Sequence, residues 1–99
     1  MSTERRRRRI KGKTKSGFEF EIPEDVFDDF ELVELYAAVN KNPIYLGELA
    51  EKLLGAKQKK ALMEHVRRDG KVHTSDMMTA MLEIEEAIPA AKNSEPSPT

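Results

Sequence analysis

The chain contains no cysteine, no tryptophan and no apolar run long enough to cross a bilayer. Without cysteine there is no disulfide framework and no thiolate metal site, so burial alone must hold the fold and a reducing compartment is permitted. A membrane-spanning helix needs about 20 mostly apolar residues. The basic start at Arg5 to Arg9 is followed by Lys11, Gly12 and Lys13 rather than by a hydrophobic signal core. We therefore expect a cytoplasmic protein that neither enters nor crosses a membrane.

Catalytic and metal-binding patterns are also missing. There are two histidines, His65 in a predicted helix and His73 in a predicted loop, and hydrolytic chemistry would need a nucleophile, a base and an orienting group. The chain has no glycine-rich phosphate loop and no His-Glu-x-x-His spacing. The acids between residues 19 and 34 lack the spacing and central glycine of a calcium loop. We expect no enzyme activity, no metal site and no cofactor.

Charge is present in two opposed blocks. Of the 99 residues 35% are charged and 38% hydrophobic, which suits one modest core. Residues 1–18 carry eight bases and one acid, whereas residues 19–34 carry eight acids and no base. Such blocks are typical of solvated segments that steer encounters with a charged partner. The two blocks could also pair with each other.

The first third of the chain predicts a flexible arm followed by a short strand or hairpin. Residues 1–9 are too charged to offset the entropy of ordering them, which predicts a disordered basic arm. Between residues 10 and 22, apolar positions alternate with charged ones at Phe18, Phe20 and Ile22, and Ser16-Gly17 signals a turn. A lone hairpin is marginal in water, so its apolar face must pack on helices.

The remainder predicts a mostly α domain of four helices, at about residues 28–40, 43–54, 57–69 and 75–88. In the first of them Phe30, Val33 and Ala37 recur at helical spacing, with other apolar residues beside them. Gly55 separates the second helix from the third, and Pro89 ends the fourth. We thus predict one domain over residues 10–88 and a disordered tail over residues 89–99.

The last helix is rich in methionine, which adapts to irregular partner surfaces as well as filling cores. Four short helices in about 60 residues can rarely bury every apolar face, so one stripe is expected to remain for another chain or for self-association. The predicted partner-binding residues are Leu46, Leu49, Met77, Met78, Met81 and Ile84.

Nucleic-acid binding is an alternative from a different class. The helix before Gly55 and the lysine-rich helix after it have the outline of a helix-turn-helix, and Arg5, Arg6, Arg7, Arg8 and Arg9 could track phosphates. A dedicated reader usually presents a basic face that its own acids do not neutralise. The sequence pI near 6.1 and the adjacent acidic block argue against this alternative.

Two segments carry a resemblance to a known family. The strings KTKSGFEFEIPEDVFDDFELVELYAAV and LAEKLLGAKQKKALMEHVRRDGKVHTSDMMTAMLEI resemble small tail assembly chaperones of long-tailed phages and prophages of Gram-positive bacteria. Shared features include a turn with Gly17, an aromatic-acidic strand, an acidic opening at Asp28-Asp29, and a leucine-rich helix ending near Gly55. The resemblance covers about residues 13–88, and the arginine arm is not typical of the family.

The resemblance implies a chaperone that acts in the host cytoplasm during tail morphogenesis. Such a protein keeps the long, helical tape measure protein soluble and helps to recruit tail tube subunits until the tube polymerises. Many relatives also make a longer fusion product by a minus-one ribosomal frameshift near the end of the gene. Ala91-Lys92-Asn93 can be encoded over the slippery heptamer A-AAA-AAC, so the codons at these positions would decide whether this chain has such a site.

Overall fold

The computed structural model describes residues 8–93, with side chains through Pro89. In this part of the chain an antiparallel hairpin precedes three helices, and short 3-10 turns lead into the first two. The elements are β1 (Arg9–Lys13), β2 (Glu19–Pro23), α1 (Phe30–Lys41), α2 (Leu46–Val66) and α3 (Thr74–Asn93), with 3-10 turns at Val26–Asp28 and Pro43–Tyr45. The predicted mostly α class with an N-terminal hairpin is confirmed.

The hairpin follows the predicted alternation. Ile10 pairs with Ile22 and Gly12 with Phe20, and the apolar members of these pairs are buried. The Phe20 ring lies over Gly12, where a Cβ atom would come within 2.5 Å of the ring Cζ. The inner face packs on the helices, with α3 lying mainly against β1. This packing supplies the support that an isolated hairpin lacks.

Helix α1 begins two residues later than predicted. Asp29 has an extended backbone and its Oδ1 accepts a hydrogen bond of 2.9 Å from the Glu31 N–H, which makes it the N-cap. The preceding residues Val26–Asp28 form a 3-10 turn instead of the first turn of the helix.

The prediction of four separate helices is confirmed in part, because the described residues form three helical elements and one of these consists of two helices that meet at a kink. The two predicted segments at residues 43–54 and 57–69 are the halves of α2, which bends at Gly55 with φ 84° and ψ 160°. Helix α2 also begins later, at Leu46, because residues 43–45 form a 3-10 turn. It ends at Val66, since Arg67 is extended and the chain turns tightly through Asp69 and Gly70, both at positive φ.

Helix α3 is longer than predicted because Pro89 does not end it. Proline removes one backbone donor, but the helix continues through it to Asn93. The predicted tail is therefore wrong over residues 89–93, and the frameshift triplet at residues 91–93 falls within the end of the helix. Residues 94–99 of that tail lie outside the described residues.

The predicted arm is wrong where it overlaps the hairpin. Arg9 belongs to β1 and pairs with Pro23, and the Arg8 carbonyl accepts a hydrogen bond of 2.8 Å from the Glu24 N–H. Residues 1–7 of the predicted arm lie outside the described residues. The core is built from the inner hairpin face, one side of α1 and the apolar stripes of α2 and α3.

Candidate protein-binding surface

The predicted partner-binding residues form the core rather than a free surface. Five of the six are buried and Met78 is half-buried. The buried residues are Leu46, Leu49, Met77, Met81 and Ile84. The expected exposure of this stripe is not found, because β1 packs across α3 and Leu46 and Leu49 of α2 belong to the same buried core.

The exposed apolar stripe lies on α1 instead. Phe30 is 70% exposed and Val33 is 48% exposed, and Ala37 is also exposed. Positions i, i+3 and i+7 of a helix fall within an arc of about 60° and span about 10 Å along the axis. These three side chains therefore form one continuous ridge, which we call the α1 face.

The opposite side of α1 explains why this face points outward. Leu32 and Val39 are buried, and α1 packs mainly against α2. Tyr36 lies between the two sides, with its ring 6.3 Å from that of Phe27. Its hydroxyl is buried without a hydrogen-bond partner among the described residues. Burial, together with the Glu85 carboxylate of α3, raises the pKa of Tyr36 above its usual value.

Carboxylates surround the N-terminal half of the α1 face. The Lys52 Nζ atom lies 3.3 Å from Asp29 Oδ2 and 2.8 Å from Glu31 Oε1, so one lysine of α2 serves both acids. Desolvation acts to raise the pKa of Asp29. The hydrogen bonds that its carboxylate accepts from Lys52 and from the Glu31 N–H, together with the charge of Lys52, outweigh desolvation and hold that pKa below its usual value. Asp28 and Glu34 are exposed and form no ion pair with another residue in the described range 8–93.

The described end of the basic block pairs with the acidic block. The Arg9 Nε atom lies 2.9 Å from Glu21 Oε2, and Arg8 Nε lies 3.8 Å from Glu24 Oε1. On the outer face of the hairpin, Lys11 and Lys13 of β1 stand directly opposite glutamates of β2. Arg5, Arg6 and Arg7 lie outside the described residues. The outer hairpin face is thus of mixed charge, unlike the basic face of a phosphate-binding surface.

The segment after Gly55 is attached to the hairpin. The Gln58 amide donates to the Glu21 carbonyl at 2.6 Å, and its Oε1 accepts from the Glu21 N–H at 2.7 Å. The side chain of Gln58 therefore takes the place of a neighbouring strand at one residue of β2. In a helix-turn-helix the start of this second segment would have to enter the major groove, whereas here it lies against β2.

His65 has structural contacts, whereas the Nε2 atom of His73 is buried without a hydrogen-bond partner among the described residues. His65 Nε2 lies 3.1 Å from the Ser16 Oγ atom, and its ring stands 5.4 Å from that of Phe18. This contact ties the β1–β2 turn to α2. Within residues 8–93, no three His, Cys, Asp or Glu side chains gather closely enough to bind a metal ion. Nor is any helix of this range long and apolar enough to span a bilayer.

No protein-family profile, curated protein or solved structure matches this chain. The functional conclusion therefore depends on the geometry of the α1 face and on the resemblance of the sequence segments described above.

Proposed function

We propose that this chain is a tail assembly chaperone of a long-tailed bacteriophage and binds segments of the tape measure protein through the α1 face. The observation that supports this proposal is that Phe30, Val33 and Ala37 are exposed together along one side of a helix. Other large apolar residues are also exposed, at Phe27, Ile44, Tyr45 and Leu82, but they do not continue this ridge along α1. Contiguous exposed apolar residues rimmed by polar ones are typical of protein-binding surfaces.

The α1 face suits transient binding. Burial of apolar surface contributes roughly 25 cal/mol per Å², and three side chains offer only a small area, so affinity for any one segment is modest. A chaperone must release its client when the tail tube polymerises, and modest affinity allows that release. The tail tube protein is a second partner that the family resemblance implies.

Co-expression with the tape measure protein of the same phage tests the proposal. We expect the wild-type chain to raise the soluble fraction of the tape measure protein and the Ala37→Glu variant to lose that effect, because a carboxylate is placed at the C-terminal end of the apolar ridge. Ala61→Glu is the matched control, since Ala61 is also an exposed helical alanine but lies on α2.

Two results would contradict the proposal. The first is a tape measure protein that is equally insoluble with and without the wild-type chain. The second is equal activity of the Ala37→Glu and Ala61→Glu variants, which would place binding elsewhere on the molecule.

A further inference from the structure

The surroundings of the α1 face carry an excess of negative charge, which is concentrated around its N-terminal half. Between Glu19 and Asn40 the chain contains eight acids and no base, and Lys41 at the end of α1 is the first cation after that stretch. Lys52 compensates Asp29 and Glu31, as described above. Glu34 follows Val33 directly on the exposed side of the helix. Its carboxylate is therefore available to interact with a molecule that covers the ridge.

We propose that the occupant of the α1 face is an amphipathic helix whose apolar stripe is flanked by lysine or arginine. This inference rests on the proposed function and specifies the chemistry of the bound segment. The axes of two helices that pack side by side lie roughly 8–10 Å apart. At that distance a base beside the partner's stripe comes close to Glu34, and complementary charges both steer the encounter and fix the register.

Charge also argues against a second copy as the occupant. Glu34 lies near the middle of the ridge, so an α1–α1 contact with a two-fold axis there would bring the Glu34 carboxylates of the two copies together. Like charges juxtaposed in an interface are costly. A nucleic acid would meet the same repulsion, because its phosphates are negative as well. A basic amphipathic helix would bury the apolar ridge under its own apolar stripe and place cations beside the acidic border of the ridge.

A pair of synthetic helical peptides tests the inference. Both carry the same leucine stripe at positions i, i+3, i+4 and i+7, and one has lysines and the other glutamates beside the stripe. We expect the lysine peptide to bind about tenfold more tightly at low salt. The difference should shrink as salt shortens the Debye length to about 3 Å near 1 M. Fluorescence anisotropy of labelled peptides provides the dissociation constants.

Variants test whether the preference for the lysine peptide arises at the α1 face. Glu34→Lys should reduce or reverse the preference for the lysine peptide, and Ala37→Glu should weaken the binding of both peptides. Glu86→Lys is the control for charge reversal, since Glu86 lies 3.9 Å from Lys15 on the hairpin side of α3 and so is remote from the ridge. Equal affinity for the two peptides, or no binding of either, would overturn the inference.

The results separate this inference from the proposed function. If the tape measure protein is kept soluble but the peptides show no charge preference, the chemistry assigned to the partner is wrong and the function stands. If the lysine peptide is preferred but the tape measure protein is not kept soluble, the function is wrong and the surface chemistry stands. Sedimentation that shows a wild-type dimer and an Ala37→Glu monomer would assign the face to a second copy and overturn the inference.

Discussion

Two glycines of α2 differ in backbone conformation. Gly47 lies in the regular first half of the helix, where an added Cβ atom would meet only the Lys59 Nζ atom at 3.7 Å. Gly55 has φ 84° and ψ 160°, a conformation that is almost restricted to glycine. The same chemical change should therefore have opposite signs at the two positions.

We expect Gly47→Ala to raise the free energy of unfolding by about 0.5–1 kcal/mol, because alanine loses less backbone entropy in a helix. Gly55→Ala should lower it by about 1–3 kcal/mol, because the side chain is strained at positive φ. Urea denaturation followed by circular dichroism measures both changes. A neutral Gly55→Ala variant would mean that the bend at this residue is not required.

Residue patterns predicted the apolar stripes better than their exposure. The sequence predicts one helical repeat at Phe30, Val33 and Ala37 and another at Met77 and Met81. Which of the two repeats is covered depends on β1, which is distant in sequence from α3 and packs across it. Periodicity identifies the face of a helix but does not reveal what lies against it, so the sequence predicts an exposed stripe on α3 where the structure has a buried one.

At the scale of the element, the start of α1 depends on one carboxylate. The folded-state pKa of Asp29 lies below the value of 3.8 for the free side chain, so this group stabilises the fold above that pH. The stabilisation is lost as the pH falls through the lower folded-state value. Asparagine caps a helix about as well as aspartate but does not titrate.

We therefore expect Asp29→Asn to keep the helix content of the wild type near neutral pH. Its stability should fall less steeply than that of the wild type when the pH is lowered below 3.8. Denaturant midpoints measured by circular dichroism over a pH series provide the comparison. Parallel pH profiles for the two proteins would show that the cap carboxylate does not contribute in this way.

The hairpin and α2 are joined through Gln58. Methionine at this position keeps the length and the apolar stem but removes both hydrogen bonds to the Glu21 backbone. We expect Gln58→Met to lower the free energy of unfolding by about 1–3 kcal/mol, because partly buried backbone groups lose their partners.

Glu21→Ala is the control for this contact, since it leaves the backbone groups of residue 21 in place and removes only the exposed ion pair with Arg9. It should change stability by less than about 1 kcal/mol. Thermal unfolding measures both variants. Equal losses would show that the side chain of residue 21, and not its backbone, connects the two elements.

Element boundaries were predicted less well than element types, for identifiable reasons. The alternation around Phe20 and Ile22 gave the hairpin correctly because each strand has one buried side. The predicted end of α3 at Pro89 is wrong because a proline near the end of a helix removes one hydrogen bond but does not force the helix to end. The sequence predicts a break at Gly55, and the backbone there is non-helical, but the helix resumes so soon that its two halves form one kinked element.

At the scale of the whole molecule, the opposed charge blocks bear on the nucleic-acid alternative. The chain has 17 bases and 18 acids, and in the described part the bases at residues 8 and 9 pair with acids of β2 and the residue after it. We therefore expect no shift of a short DNA duplex in a gel at about 50 mM salt, where phosphate contacts are strongest. A shift that disappears when Arg5, Arg6 and Arg7 are replaced by serine would favour the nucleic-acid alternative.

The contact between Gln58 and Glu21 also has a consequence for evolution. Only glutamine combines a donor, an acceptor and this reach in one uncharged side chain, and the glycine three residues earlier sets the bend that brings it to the strand. Surface positions elsewhere can drift without loss of the fold. We therefore expect homologues to retain a Phe-x-Ile-Pro strand and, downstream of it, a glycine followed three residues later by glutamine. This pattern should remain even where the overall sequence identity to this chain is too low for the relationship to be recognised.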